Sequence, residues 1–191
     1  MPGDGSGETR VLCDDCLTIA RPWSRGYAAL LYEDNARALV LRLKHADRPD
    51  LAVPAGHWIA RVIGPGMAPD TLVAPVPLHW QRLLHRRYNQ SAMLARSTAV
   101  ALGLEQCPDL LSRVRRTPTQ DGHSRTGRFA NQAGSISVRR RRRDLLAGRP
   151  VLLIDDVMTS GATLAAATEA CLAAGSGEVA VAVLARVAKR D

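Results

Sequence analysis

The sequence predicts an α/β fold: a parallel sheet flanked by helices. Stretches such as Val-Leu-Leu-Ile at 151–154 and Val-Ala-Val-Ala-Val-Leu at 179–184 are apolar throughout, as strands buried on both faces are. Segments of helical periodicity fall between the apolar stretches, so strand and helix alternate along the chain. Aromatic residues make up only 4% of the sequence. The core must then be filled by Leu, Val and Ala, which suits strands packed under helices.

The elements follow in order. Residues 1–20 carry Gly, Asp and Ser ahead of Cys13-Asp-Asp-Cys16 and are expected to be flexible. A short strand is expected at 26–32. Ala36, Leu39, Val40 and Leu43 recur at i, i+3, i+4 and i+7, one face of a helix ending near Lys44-His45. A second helix spans 54–63 with Trp58, Ile59 and Val62 as its apolar face, and Gly64-Pro65-Gly66 stops it. Residues 71–76 form a strand whose exit is marked by Pro75 and Pro77. Residues 89–102 form a helix with Met93, Leu94, Val100 and Ala101 as its apolar residues and Gly103 as its cap. A strand at 110–116 leads into a polar flap at 117–131, and 135–138 returns from it. A buried strand at 151–154, a helix at 162–174 followed by Gly175 and Gly177, and a strand at 179–184 complete the pattern. There are no internal repeats. The expected organisation is a flexible N-terminus with half a zinc knuckle at 1–20, an N-terminal hood at 21–70 and the sheet-bearing core at 71–191.

A chain of 191 residues suits one well-packed domain with a small appendage. No apolar run reaches the roughly 20 residues needed to span a bilayer. The opening MPGDGSGETR lacks the basic and apolar regions of a secretory signal, so a soluble, cytoplasmic protein without membrane contact is expected. The formal net charge of +8 favours acidic partners, with nucleic acid, nucleotides and polyphosphates all eligible. The excess gathers in the run at 139–143 and in Arg82, Arg86, Arg87, Arg113, Arg115 and Arg116. The run reads as a solvated loop between two strands. The competing reading, a nucleic-acid surface, lacks the interleaved aromatics such grooves use.

Cys107 and Cys171 read as buried thiols in or beside helices. Cys13 and Cys16 supply half of a tetrahedral zinc site. No further ligand lies upstream, and His45 and His57 have no matching spacing, so bound zinc is not expected.

The chemistry concentrates in Val-Leu-Leu-Ile-Asp-Asp-Val-Met-Thr-Ser-Gly-Ala-Thr, residues 151–163. In open parallel sheets ligands gather at the carboxyl ends of strands. The N-terminus of the following helix offers unpaired amides and partial positive charge to an anion. Gly161 allows positive φ, and Thr159, Ser160 and Thr163 add hydroxyl donors around a loop that can wrap a phosphate. Asp155 and Asp156, just before it, can accept hydrogen bonds from a vicinal diol. An acidic pair for the sugar followed by an amide nest for the phosphate describes a ribose 5-phosphate site. Neither a P-loop nor a dinucleotide glycine pattern occurs.

That arrangement resembles the 5-phosphoribosyl 1-diphosphate (PRPP) signature of type I phosphoribosyltransferases. The resemblance implies that Asp155 and Asp156 hold the ribose 2- and 3-hydroxyls, and that Thr159, Ser160, Gly161, Ala162 and Thr163 hold the 5-phosphate. Further blocks are similar to the ComF family, named for its link to bacterial competence and DNA uptake. They are Leu43-Lys44-His45, Pro75-Val76-Pro77-Leu78-His79 with Arg82, Arg86-Arg87-Tyr88-Asn89-Gln90, Thr117 with Gln120, and Ser124-Arg125 with Arg128, Asn131 and Gly134. The likeness covers residues 11 to 187. It departs at the N-terminus, where the family carries a complete zinc ribbon and only Cys13 and Cys16 are present, and at His123, where the family has a leucine.

By this resemblance the pyrophosphate of PRPP lies against the backbone around Val76, Pro77, Leu78 and His79. Mg²⁺ bridges that pyrophosphate, with Asp155 and Asp156 as its carboxylate contacts. Of the three arginines at 82, 86 and 87, Arg86 is favoured for the leaving group because it starts the family block. Arg128, on the flap, can also reach the pyrophosphate, and Asn131 fixes the flap's return. Lys44 either points into the site or ends its helix favourably. Thr159 stands where hypoxanthine-type enzymes place an acidic residue, which argues against hypoxanthine or guanine as acceptor. The implied function is a Mg²⁺-dependent phosphoribosyltransferase with an unidentified acceptor. The alternative is a non-catalytic protein binding PRPP or a ribose-5-phosphate nucleotide, or an accessory to DNA uptake with nucleic acid as partner. A homodimer is implied by the fold.

Overall fold

The computed structural model describes residues 20–44, 48–78, 88–114 and 134–188. The expectations that fall on Cys13, Cys16, His45, His79, Arg82, Arg86, Arg87 and the flap at 117–131 lie outside these residues.

Five strands, β1 (Arg25–Leu31), β2 (Leu72–Pro75), β3 (Glu105–Gln106), β6 (Val151–Met158) and β7 (Val179–Arg186), form one parallel sheet. Their order across it is β1-β7-β6-β2-β3. A separate antiparallel pair joins β4 (Leu111–Arg113) to β5 (Ile136–Val138). The helices are α1 (Asp34–Lys44), α2 (Ala52–Ile63), α3 (Gln90–Leu102) and α4 (Ala162–Ala173). Short 3₁₀ turns precede α2 at Pro49–Leu51 and β6 at Arg140–Leu146.

Alternation along the strands assigns the two faces. Val73, Leu152, Ile154, Ala180, Ala182 and Leu184 pack under α1, α2 and α3. Leu72, Ala74, Val151, Leu153, Val179, Val181 and Val183 pack under α4, the β4–β5 pair and the second 3₁₀ turn. Both layers therefore share β6 and β7, whose apolar residues from Val151 to Ile154 and from Val179 to Ala185 are all buried. This is the doubly covered sheet that the unbroken apolar stretches imply.

Four differences from the sequence-based expectations have physical causes. Trp58 and Val62 are 44% and 42% exposed, so they do not form the core face of α2. The buried side is Ala52, Ala55, Gly56, Ile59, Ala60 and Ile63. Here α2 meets α3 so closely that a Cβ on Gly56 would lie 2.4 Å from Ser97 Cβ. Small residues permit that approach and bulky ones cannot. In α3, Val100 is 74% exposed, while polar Gln90, Ser91, Ser97 and Thr98 are buried. Ser97 and Thr98 are satisfied by donating to the carbonyls of Val53 and Gly56. Strand β6 continues past Ile154 to Met158, because β7 pairs with it as far as Met158–Arg186. The arginine run is solvated between two strands as expected, with Arg139, Arg140, Arg141 and Arg143 exposed, but it winds into a 3₁₀ turn. Arg141 and Arg142 both bond Asp109, at 2.6 and 2.9 Å, and hold its carboxyl below the usual range. Cys107 and Cys171 are buried free thiols, as expected.

Candidate functional site

The site forms where the sheet runs out of neighbours. Strand β2 ends at Pro75, paired with Ile154, so the next two residues of β6 lose their partner on that side. Asp155 and Asp156 occupy those positions, and the start of α3 takes the place of the missing strand. Asn89 sets that start in two ways. Its side chain accepts from the Ser91 amide at 3.1 Å as the helix N-cap, and donates to the Val76 carbonyl at 3.3 Å.

The first two residues of α3 then meet the two carboxylates. Ser91 Oγ donates to Asp155 Oδ1 at 2.9 Å, and the Asp156 amide donates to the same oxygen at 2.9 Å. Gln90 Nε2 donates to Asp156 Oδ2 at 2.8 Å. Lys44 Nζ, from the end of α1, lies 3.4 Å from that same Oδ2. The hydroxyl of Tyr88 donates to the Leu43 carbonyl at 2.6 Å and ties α1 to the approach of α3.

One oxygen of each carboxylate is therefore committed to the protein. Asp155 Oδ2 and Asp156 Oδ1 take no hydrogen bond from the described residues. Gln90 Oε1 is buried and likewise has no partner among them. Burial, and secondarily the charge of Asp156, pushes the Asp155 carboxyl up to about 7 against the pull of Ser91. The pocket is thus rich in acceptors and short of donors, the complement of a diol or a hydrated cation.

Beyond Met158 the chain turns through Thr159, Ser160 and Gly161 into α4. Gly161 is the N-cap residue with φ 78° and ψ 4°, a left-handed conformation that favours glycine. It provides no side-chain cap, so the first amides of α4 remain open apart from Ala162, whose N–H lies 3.4 Å from Ser160 Oγ. Thr159 is exposed, Ser160 and Thr163 are half-buried, and Gly161 and Ala162 are buried. Arg21 reaches the loop from before β1 and donates to the Ser160 carbonyl at 2.9 Å.

Lys44 meets Asp156 directly, Asp155 is its neighbour along β6, and Thr159 to Thr163 follow the acidic pair at the same end of that strand. Pro77 and Leu78 follow β2 and are half-buried. Arg86, Arg128 and His79 lie outside the described residues, as do Cys13 and Cys16. Sequence reasoning placed Gln90 in a family block without giving it a role, and missed Ser91 and Arg21. Gln90 and Ser91 had a signal: two polar residues directly after an N-cap asparagine. Arg21 had none, since its contact spans 139 residues of chain.

Among the described residues no three His, Cys, Asp or Glu side chains gather to hold a metal ion. An all-protein cage is therefore not formed by them. Two carboxylates with uncommitted oxygens do fit Mg²⁺, which takes one or two carboxylates together with substrate phosphates. No helix among the described residues is long and apolar enough to cross a membrane.

Residues 89–191 match the family model described as "Phosphoribosyl transferase domain". The chain is 29% identical over 188 residues to "DNA utilization protein YhgH" of Salmonella typhi, covering 95% of this chain and 80% of that protein. It is 30% identical over 182 residues to the protein of the same name from Escherichia coli K12, covering 91% and 77%. It is 32% identical over 166 residues to "Competence protein F" of Haemophilus influenzae, covering 80% and 68%. The matched family segment contains both the acidic pair and the α3 residues that hold it.

Proposed function

Because the chain belongs to the phosphoribosyl transferase domain family, in its ComF-type branch, we propose that it binds PRPP with Mg²⁺ and transfers the phosphoribosyl group to a nucleophilic acceptor. The observation that carries this reading is the division of labour in the acidic pair. One oxygen of each carboxylate is fixed by Ser91 or Gln90, and the other is left to accept from a ribose hydroxyl. Two adjacent hydroxyls require two such acceptors. The open amides at the start of α4 suit the 5-phosphate.

In the proposed reaction the bond from the anomeric carbon to the pyrophosphate oxygen breaks while the acceptor's lone pair bonds to that carbon. Positive charge develops on the sugar, and the leaving pyrophosphate takes the electron pair. Mg²⁺, held by pyrophosphate oxygens with Asp155 or Asp156 as carboxylate contact, would supply charge neutralisation for the leaving group. The chain's own part is to hold the ribose at the acidic pair and the phosphate at the loop, so that the anomeric carbon presents one geometry. Lys44 adds a cation beside Asp156 and offsets the negative charge that gathers at the acidic pair. Arg86 and Arg128 are proposed to stabilise the leaving group.

Calorimetric titration of PRPP with Mg²⁺ tests the reading. Micromolar binding by the wild type, lost in the Asp155→Asn/Asp156→Asn double variant, is expected. A folded wild type that binds no PRPP overturns it. A second reading, a ligand-binding protein of DNA handling without turnover, is favoured by the names of the relatives. Pyrophosphate release on adding candidate acceptors separates the two.

A further inference from the structure

The phosphate loop is held from behind. Arg21 donates through Nη1 to the Ser160 carbonyl, and its guanidinium carbon lies 5.3 Å from the centre of the Trp23 ring, in the range of a cation–π contact. The same two side chains close the space around Gly161. A Cβ there would lie 3.0 Å from Trp23 Cη2 and 3.3 Å from Arg21 Nη1. In a trans peptide the carbonyl and the next N–H point in opposite directions. A donor that fixes the Ser160 carbonyl toward Arg21 therefore fixes the Gly161 N–H away from it. The left-handed conformation of Gly161 makes this peptide the one whose orientation is otherwise least constrained, since glycine occupies either sign of φ readily.

We propose that Arg21, seated on Trp23, is a positioning residue for the 5-phosphate: it sets the Ser160–Gly161 peptide so that the Gly161 amide faces the ligand. The inference rests on the ribose-phosphate reading of the loop. It adds a residue from before β1 to a site otherwise built from β6, α3, α4 and the end of α1. The guanidinium also places a positive charge directly behind the loop, where it favours an anion in front. Arg21 acts on the phosphate through the peptide, without touching it.

The test compares wild type with Arg21→Ala, Arg21→Lys and Trp23→Phe in the full chain, using two ligands and one ligand-free measurement. Calorimetry measures PRPP and magnesium pyrophosphate, the second of which has no 5-phosphate. Hydrogen exchange measures the Ala165 amide, which donates to the Gly161 carbonyl at 2.9 Å, without ligand. Loss of a charged hydrogen bond predicts that Arg21→Ala binds PRPP roughly 10-fold to 100-fold more weakly. Arg21→Lys recovers part of that loss, since it restores the charge but not the planar fork, and Trp23→Phe weakens binding less than Arg21→Ala. Magnesium pyrophosphate affinity stays unchanged across the set, which a general loss of structure would not allow. Exchange at Ala165 accelerates most in Arg21→Ala. Equal PRPP affinity in wild type and Arg21→Ala overturns the proposal, as does unchanged exchange at Ala165. Equal losses for PRPP and pyrophosphate also overturn it, because the effect would then not belong to the phosphate loop. A wild type that binds neither ligand overturns the ribose-phosphate reading itself and the proposal with it.

Discussion

Asp155 is the residue whose environment and chemistry are most at odds. In the unfolded chain it titrates at the ordinary 3.8, and in the folded, ligand-free protein at about 7. Between those values the folded state holds the extra proton, so the contribution to stability is full below 3.8 and is lost as pH rises through 7. Asp155→Asn removes this titration while keeping an oxygen for Ser91. It is expected to be more stable than wild type near pH 8 by at least about 1 kcal/mol, and to flatten the fall in stability between about pH 4 and about pH 7. Urea unfolding across that range measures both, and an unchanged slope would show that burial of Asp155 is relieved in solution. The acidic pair was legible in the sequence because a buried strand running into two carboxylates needs an explanation. Gln90 and Ser91 were less so. Their role depends on β2 stopping at Pro75, opposite Ile154, and pairing register is not written in either segment alone.

At the scale of elements, α3 has two jobs that its composition reflects. Its N-terminus holds the acidic pair and its body packs on α2, so its buried side is polar and small rather than a stripe of large apolar residues. Asn89→Ala removes the N-cap and the bond to the Val76 carbonyl, and is expected to cost about 1 kcal/mol in urea unfolding. It should also weaken PRPP binding, because Gln90 and Ser91 follow the cap directly. Gly56→Ala is expected to destabilise by about 1–3 kcal/mol, since the added carbon meets Ser97 at 2.4 Å and the helices must move apart. Thermal melting reads this loss, and a neutral substitution would mean that the two helices separate freely. This packing explains which parts of the sequence misled. Of the apolar face expected for α2, Ile59 is buried but Trp58 and Val62 are not, because the close approach at Gly56 turns a side carrying Ala52, Ala55 and Ala60 toward the core, and periodicity weighted by side-chain size misses those small residues. The strands at 151–158 and 179–186 were legible because burial on both faces leaves an unbroken apolar stretch. The two-residue β3 was not, since Glu105 and Gln106 carry no strand pattern at all.

For the molecule as a whole, β6 is the shared member of everything described: both core layers, the acidic pair and the entry to the phosphate loop. Leu153 is fully buried in the layer beneath α4. Leu153→Ala is expected to lower stability by about 2–5 kcal/mol and to do so in one cooperative transition, because the two layers cannot melt independently around a common strand. Two separated transitions in calorimetry would contradict that. The alternation of strand and helix made the parallel sheet legible from the sequence, but the order β1-β7-β6-β2-β3 was not, since it depends on which edges find each other in space. That order also has a consequence for how the protein is made. On the ribosome β1 emerges early, yet its partner is β7, and Ser24 and Val179 are 155 residues apart along the chain. Strands β1 and β2 cannot pair with one another, because β7 and β6 must come between them. The nascent polypeptide therefore exposes apolar strands and helix faces through most of its synthesis, the circumstance in which chaperones protect a chain from aggregation.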